Sequence, residues 1–190
     1  MSLWGNDIKP KNLTTAEKKE VFATASGWVR EAGSVLSGND NTNATPEVLV
    51  AIGGLATNMG VANITEIEFV TTSIGEAAGG NIDVRVRFNE RVDITGTPEV
   101  TVTNSQAGGG TDATFTAGYN SGTGTNEIVF RATYGAADGG IAEDDVLSIG
   151  TNVVALNFGS IKDSGTNIDV YPYTNSAAIG TAAGTLTVVA

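Results

Sequence analysis

From about residue 64 onward, apolar and polar positions alternate with a period of two. In Asn81–Asn89, Ile82, Val84, Val86 and Phe88 fall on one side and Asp83, Arg85, Arg87 and Asn89 on the other. That is the pattern of a strand half-buried on a sheet. Ile67 and Phe69 alternate with Glu66 and Glu68 just before it. Val100 with Val102, Thr114 to Ala117, and Ile128, Phe130 and Ala132 continue the pattern, and Val146–Ile149, Val153–Phe158 and Leu186–Val189 complete it. Turn signals separate the runs: Thr95-Gly-Thr-Pro98, Gly108-Gly-Gly110, Ser121-Gly-Thr-Gly124, Asp138-Gly-Gly140 and Asp163-Ser-Gly165. Short strands punctuated about every 8–15 residues predict an antiparallel β-sandwich.

The first 62 residues read differently. An irregular arm leads into Thr14-Thr-Ala-Glu17, a capping-box pattern that predicts a short helix over Ala16–Phe22. Val21–Ala32 reads as a strand with Trp28 and Val29 at its middle and Gly27 as a bulge. After the polar loop Gly38–Pro46, Val48–Ile52 forms a second apolar strand that Gly53-Gly54 stops, and the two strands are expected to pair as a hairpin. One helix and one hairpin are marginal alone, so this unit is expected to dock on the sandwich or on another chain.

Charge supports the same division, into units 1–62 and 63–190. Residues 1–62 carry five bases and six acids, residues 63–190 five bases and fifteen acids, and four of the five lysines precede residue 20. The net charge of −11 repels nucleic acid and anionic membrane. No apolar run approaches the roughly 18 residues that cross a bilayer. The first residues lack the order of a secretory signal, which predicts synthesis in the cytoplasm. With no cysteine and no histidine, disulfides, thiol nucleophiles, cysteine zinc sites and imidazole catalysis are excluded.

Several local patterns invite chemistry and have simpler readings. Glu143-Asp-Asp145 could supply calcium oxygens but lacks a spaced Asp-x-Asp-x-Asp-Gly loop, so a solvated loop is the preferred reading. Twenty-one acids make some glycosidase-like carboxylate pair inevitable by chance, and no aromatic cleft accompanies one. Gly53-Gly54 and Gly108–Gly110 join strands rather than opening a helix, and no Gly-Lys-Ser/Thr follows them. Arg85, Arg87 and Arg131 form either a basic docking stripe or a set of cross-strand ion pairs, with pairing preferred. No catalytic residue, metal ligand or cofactor is predicted. Trp4, Phe22 and Trp28, with Lys9, Lys11, Lys18, Lys19 and Arg30, are the interface candidates, since buried aromatics dominate binding and a cationic arm suits an acidic partner. The competing reading for the aromatics is packing on the sandwich.

Val86-Arg-Phe-Asn-Glu-Arg-Val-Asp-Ile-Thr-Gly-Thr-Pro-Glu-Val-Thr-Val102 resembles the opening of Ig-like repeats of large bacterial surface proteins. The resemblance runs through Ala117–Phe130 to Ile161-Lys-Asp-Ser-Gly165, covering about residues 64–170. It departs in the Gly108–Gly110 insertion and in the tail after Asp169. Glu20–Glu31 followed by Pro46–Ile52 resembles virion structural proteins of T4-like marine cyanophages and related tailed phages. Together these imply an all-β chain: an Ig-like antiparallel β-sandwich preceded by a small N-terminal arm, short helix and β-hairpin. The resemblance implies no catalysis. The expected role is a capsid decoration protein on the virion surface, bound to the major capsid protein and neighbouring copies of itself, with weak host-surface contact. A tail, baseplate or fibre component and a cell-surface adhesion domain are the alternatives.

Overall fold

The computed structural model describes residues 13–33, 41–77, 79–105, 113–135, 140–170 and 175–190. The arm bearing Trp4, Lys9 and Lys11, the Gly108–Gly110 turn, and residues 38–40 and 138–139 of two expected loops lie outside the described residues, as does the side chain of Lys18.

The capping box forms as expected. Glu17 N–H donates to Thr14 Oγ1 at 3.2 Å, and Thr14 N–H donates to Glu17 Oε2 at 2.8 Å. The helix α1 is shorter than expected, Thr15–Lys19, with Glu20 as its C-cap. Val21 and Phe22 leave it because a strand buries both. The single strand expected over Val21–Ala32 is instead two, β1 (Val21–Thr24) and β2 (Gly27–Arg30), reversed at Ala25–Ser26. Gly27, expected as a bulge, completes the reversal at φ +130, and a Cβ there would lie 2.0 Å from the Val50 carbonyl oxygen. Only glycine permits both the backbone angle and that approach. Across the loop, β3 (Glu47–Ala51) pairs antiparallel with β2, so the expected hairpin is one half of a three-stranded meander.

Strand alternation gives the meander two apolar faces. Val21, Ala23 and Trp28 cluster with Leu55 of the short helix α2 (Leu55–Asn58) and with its C-cap Met59. Phe22 and Val29, paired across β1 and β2, face the other way, and the Arg91 guanidinium lies 5.4 Å above the Phe22 ring.

The remaining strands are β4 (Ile64–Phe69), β5 (Ser73–Gly75), β6 (Gly80–Thr95), β7 (Glu99–Asn104), β8 (Thr114–Ser121), β9 (Thr125–Tyr134), β10 (Val146–Ala155), β11 (Ser160–Asp163) and β12 (Thr185–Val189). The sheet order is β3-β2-β1-β6-β9-β8-β7-β10-β12-β5, with β4 and β11 also paired to β6. The long β6 therefore organises the molecule. Its first half carries β4 and β9, Glu90 bridges Ala23 of β1 in parallel, and Val92–Thr95 pairs with β11. Inward residues from both ends of this path, among them Ile67, Val86, Val102, Phe130, Leu147, Ile161 and Val188, form one hydrophobic cluster. The sheet thus curls on itself, and the chain is an all-β sandwich. Helix α3 (Ala177–Ala182) packs against β4 and β10, with Gly180 set against the Gly150 carbonyl.

Two expected strands in the 146–158 region merge into β10, which is irregular between Ile149 and Val154. The expected continuation to Phe158 is replaced by a turn, because Asn157 and Phe158 adopt φ of 43° and 61°. Gly159 N–H donates back to the Leu156 carbonyl at 2.7 Å, closing it.

Candidate functional site

The densest ionisable cluster lies on the outer face of β4, β6 and β9. Register places Glu66 opposite Arg87, Glu68 opposite Arg85, and Arg87 opposite Glu127. Arg87 donates through Nε to Glu127 Oε1 at 2.5 Å and through Nη1 to Glu66 Oε2 at 2.5 Å, and its Nη1 lies 2.9 Å from Glu68 Oε1. Arg85 Nη1 donates to Glu68 Oε1 at 3.1 Å. Lys19 of α1 closes the set with an ion pair to Glu66. Three cations therefore meet three carboxylates.

Period-two alternation puts Arg87 on an outer face, yet only 8% of it is exposed. Burial opposes its charge, but the bonds to Glu127 and Glu66 and the nearby charge of Glu68 outweigh it, so the guanidinium is held more firmly charged than usual. Glu31, just after β2, faces the same cluster. Burial and the charge of Glu127 push its carboxyl above the usual range, against the pull of Arg87 and Arg91. The cluster is thus a seam: α1 and β2 of the N-terminal unit meet β4, β6 and β9 of the sandwich across matched charges. The buried Asp163 carboxylate adds a second tie, accepting Ala62 N–H at 2.9 Å and the N–H groups of Gly165 and Thr166 at 2.8 Å each.

The expected interface residues fall in different places. Phe22 and Trp28 are 1% and 0% exposed, so both side chains are core rather than presented anchors. The reason is the unpredicted reversal, which folds their two faces against α2 and against Arg91. Lys19 is engaged with Glu66, and Arg30 with Glu47 at 2.7 Å. Trp4, Lys9 and Lys11 lie outside the described residues. Among the eight candidates, the structure brings Phe22 and Lys19 to the seam and sets Trp28 and Arg30 in the meander.

Arg85, Arg87 and Arg131 are paired, not a free stripe. Arg131 forks both nitrogens onto Asp83 at 2.7 Å. In the acidic run, Glu143 and Asp144 are exposed, but Asp145 is not the solvated residue expected. Its buried carboxylate accepts the Asn104 amide at 2.8 Å and Ala142 N–H at 2.9 Å. Among the described residues no group of three carboxylates is arranged to hold a metal ion.

The two ends of the sandwich differ. At one end Thr95–Pro98, Gly122–Gly124 and Leu156–Gly159 meet; none of these residues is ionisable, but the exposed Asp93 carboxylate stands beside Gly124, 3.9 Å from where its Cβ would lie. Ile94 N–H donates to Thr123 Oγ1 at 2.8 Å and Tyr119 N–H to the Pro98 carbonyl at 2.8 Å. At the other end Glu76, Glu143 and Asp144 gather around the start of β6 and the end of β12. The N-terminal unit sits on the half of β6 that runs toward the Thr95 end. Sequence reasoning missed Phe158 at that end, where its side chain is fully exposed. An apolar residue beside Asn157 and Gly159 was the available signal. No protein-family model, curated protein or solved structure matches this chain.

Proposed function

We propose that the chain is a phage virion structural protein, a capsid decoration (cement) protein that attaches by its N-terminal unit to the major capsid protein lattice and carries an Ig-like domain. The observation that carries this reading is the seam that joins the N-terminal unit, with its lysine-bearing arm, to the acidic sandwich. That unit is joined to the second half of β6, while the exposed Glu143 and Asp144 stand beside Glu76 at the opposite end of the sandwich. An acidic body held this way can approach an acidic shell with its lysine-bearing arm while part of its own charge stands away from the contact. The seam makes the two units mechanically continuous, so strain at the attachment passes into the sandwich. Many weak contacts at neighbouring lattice positions then act together. The sequence resemblance of Glu20–Glu31 and Pro46–Ile52 to virion proteins supports the same role.

The chain's largest charge cluster also favours a structural role over catalysis. Its carboxylates Glu66, Glu68 and Glu127 are matched to guanidinium and ammonium groups, which leaves the raised Glu31 carboxyl without a second free acid or base among them to act with. The test is imaging of phage particles incubated with labelled protein. Label distributed over the head is expected. Label confined to one vertex would assign the chain to the tail or baseplate, and absence of label would overturn the virion role.

A further inference from the structure

The N-terminal unit and the sandwich have separate hydrophobic cores. Val21, Ala23, Trp28, Leu55 and Met59 form one cluster, and no residue of it belongs to the sandwich cluster. What joins the two units is polar. Lys19 pairs with Glu66, the Arg91 guanidinium covers the Phe22 ring, Asp163 accepts the Ala62 N–H, and backbone pairing of β1 with β6 rests on the Ala23–Glu90 bridge. Units joined by a polar face open at that face more easily than a core opens. We propose that this joint is an acid-closed latch: a protonated Glu31 carboxyl holds the meander against β6 and β9, and an ionised one lets the meander open while the sandwich stays shut. The latch operates whether or not the chain is part of a virion.

Position makes Glu31 the controlling group. Its N–H donates to the Glu20 carbonyl at 3.3 Å, which fixes it beside the C-cap of α1. The half-buried carboxyl faces Glu20 from α1, Glu127 from β9, and Arg87 and Arg91 from β6. The cations that would neutralise it are already engaged. Arg87 donates to Glu127 and Glu66 at 2.5 Å each and lies 2.9 Å from Glu68. Arg85 holds Glu68 at 3.1 Å, Lys19 holds Glu66, and Arg91 lies over Phe22. Arg30, its neighbour in sequence, is turned to Glu47 and Glu17. Among the described side chains of the seam, the carboxylates Glu20, Glu31, Glu66, Glu68 and Glu127 therefore outnumber Lys19, Arg85, Arg87 and Arg91, and no ion pair holds Glu31.

An ionised Glu31 adds an unmatched charge beside Glu20 and Glu127 while the joint is shut, and gives that charge to water when the joint opens. Burial and Glu127 accordingly push its carboxyl above the ordinary 4.5, against the pull of Arg87 and Arg91. The shut form binds the proton more readily than the open form. Closure is therefore strongest below the ordinary value and weakens as pH rises through the raised one.

The test is amide hydrogen exchange on full-length wild type, Glu31→Gln and Glu143→Gln at about pH 5 and about pH 8, each rate divided by the intrinsic rate at that pH. In wild type, protection of Val21–Arg30 and Ala62 is expected to fall roughly threefold to tenfold from the lower pH to the higher, with β9 and β10 unchanged. Glu31→Gln is expected to hold its protection at both pH values. Glu143→Gln, altered at the far end of the sandwich, is expected to follow wild type. Equal wild-type protection at both pH values, or a fall shared by β9 and β10, would overturn the latch. A Glu31→Gln protein that loses protection as wild type does, or a Glu143→Gln protein that does not, would overturn it too, since another group would then carry the proton.

Discussion

Asp163 and Ala62 are 101 residues apart in sequence and joined by one buried bond: the Asp163 carboxylate accepts the Ala62 N–H at 2.9 Å. Ala62 lies where the N-terminal unit ends and β4 is about to begin. The same carboxylate holds Gly165 and Thr166, so one side chain shapes the turn after β11 and pins the connection between the units.

Removing it leaves three N–H groups without their acceptor. Asp163→Ala is expected to cost about 3 kcal/mol in urea unfolding. The Ala62 amide is expected to lose its protection from hydrogen exchange before the core strands do. Unchanged exchange at Ala62 would contradict this account of the connection.

The charged seam predicts an asymmetry between two substitutions. Arg87→Ala leaves Glu66 and Glu127 facing each other with their main partner gone, a loss of about 3–5 kcal/mol. Arg87→Met combined with Glu66→Gln and Glu127→Gln removes the uncompensated charge and is expected to recover most of that loss. Chemical denaturation of wild type and the two variants checks this, and a triple variant no better than Arg87→Ala would contradict it.

Glu31 sets a pH dependence of defined sign. Its folded pKa is raised above the ordinary 4.5. The native state therefore binds this proton more readily than the unfolded chain. Its contribution is fully present below the unfolded value and is lost as pH rises through the raised folded value. Glu31→Gln is expected to be more stable than wild type near neutral pH, with the advantage disappearing in the acid range. Melting temperatures of both proteins across pH test this, and a constant difference at all pH values would contradict it.

The burial of Trp28 separates a core role from a surface role. Trp28→Ala is expected to cost about 3–5 kcal/mol and to unfold the meander first. A presented anchor would instead lose binding with stability intact. Circular dichroism with hydrogen exchange on Val21–Arg30 distinguishes the two.

What the sequence revealed follows from which signals are local. Period-two alternation located β4, β6 and β9, and Thr14 with Glu17 located the start of α1. The reversal at Ala25–Ser26 escaped because Ser26-Gly27, a turn signal, fell inside one long apolar run where Gly27 also fits a bulge. With the reversal missed, Phe22 and Trp28 read as interface anchors as readily as core side chains. β5 and β11 are three and four residues long, too short for a period to register. The burial of Arg87 escaped for another reason. Alternation assigns a side chain to a face but does not say that a second unit will cover it. Phe158 read as the end of a strand because composition carries no information on φ.

The central claim is that this chain is a stoichiometric part of a phage head. Quantitative mass spectrometry of purified heads, counting this chain against the major capsid protein, tests it most directly. The account predicts a fixed small-integer ratio that is retained through stringent washing. A chain absent from heads, or recovered only with isolated tails, would contradict it.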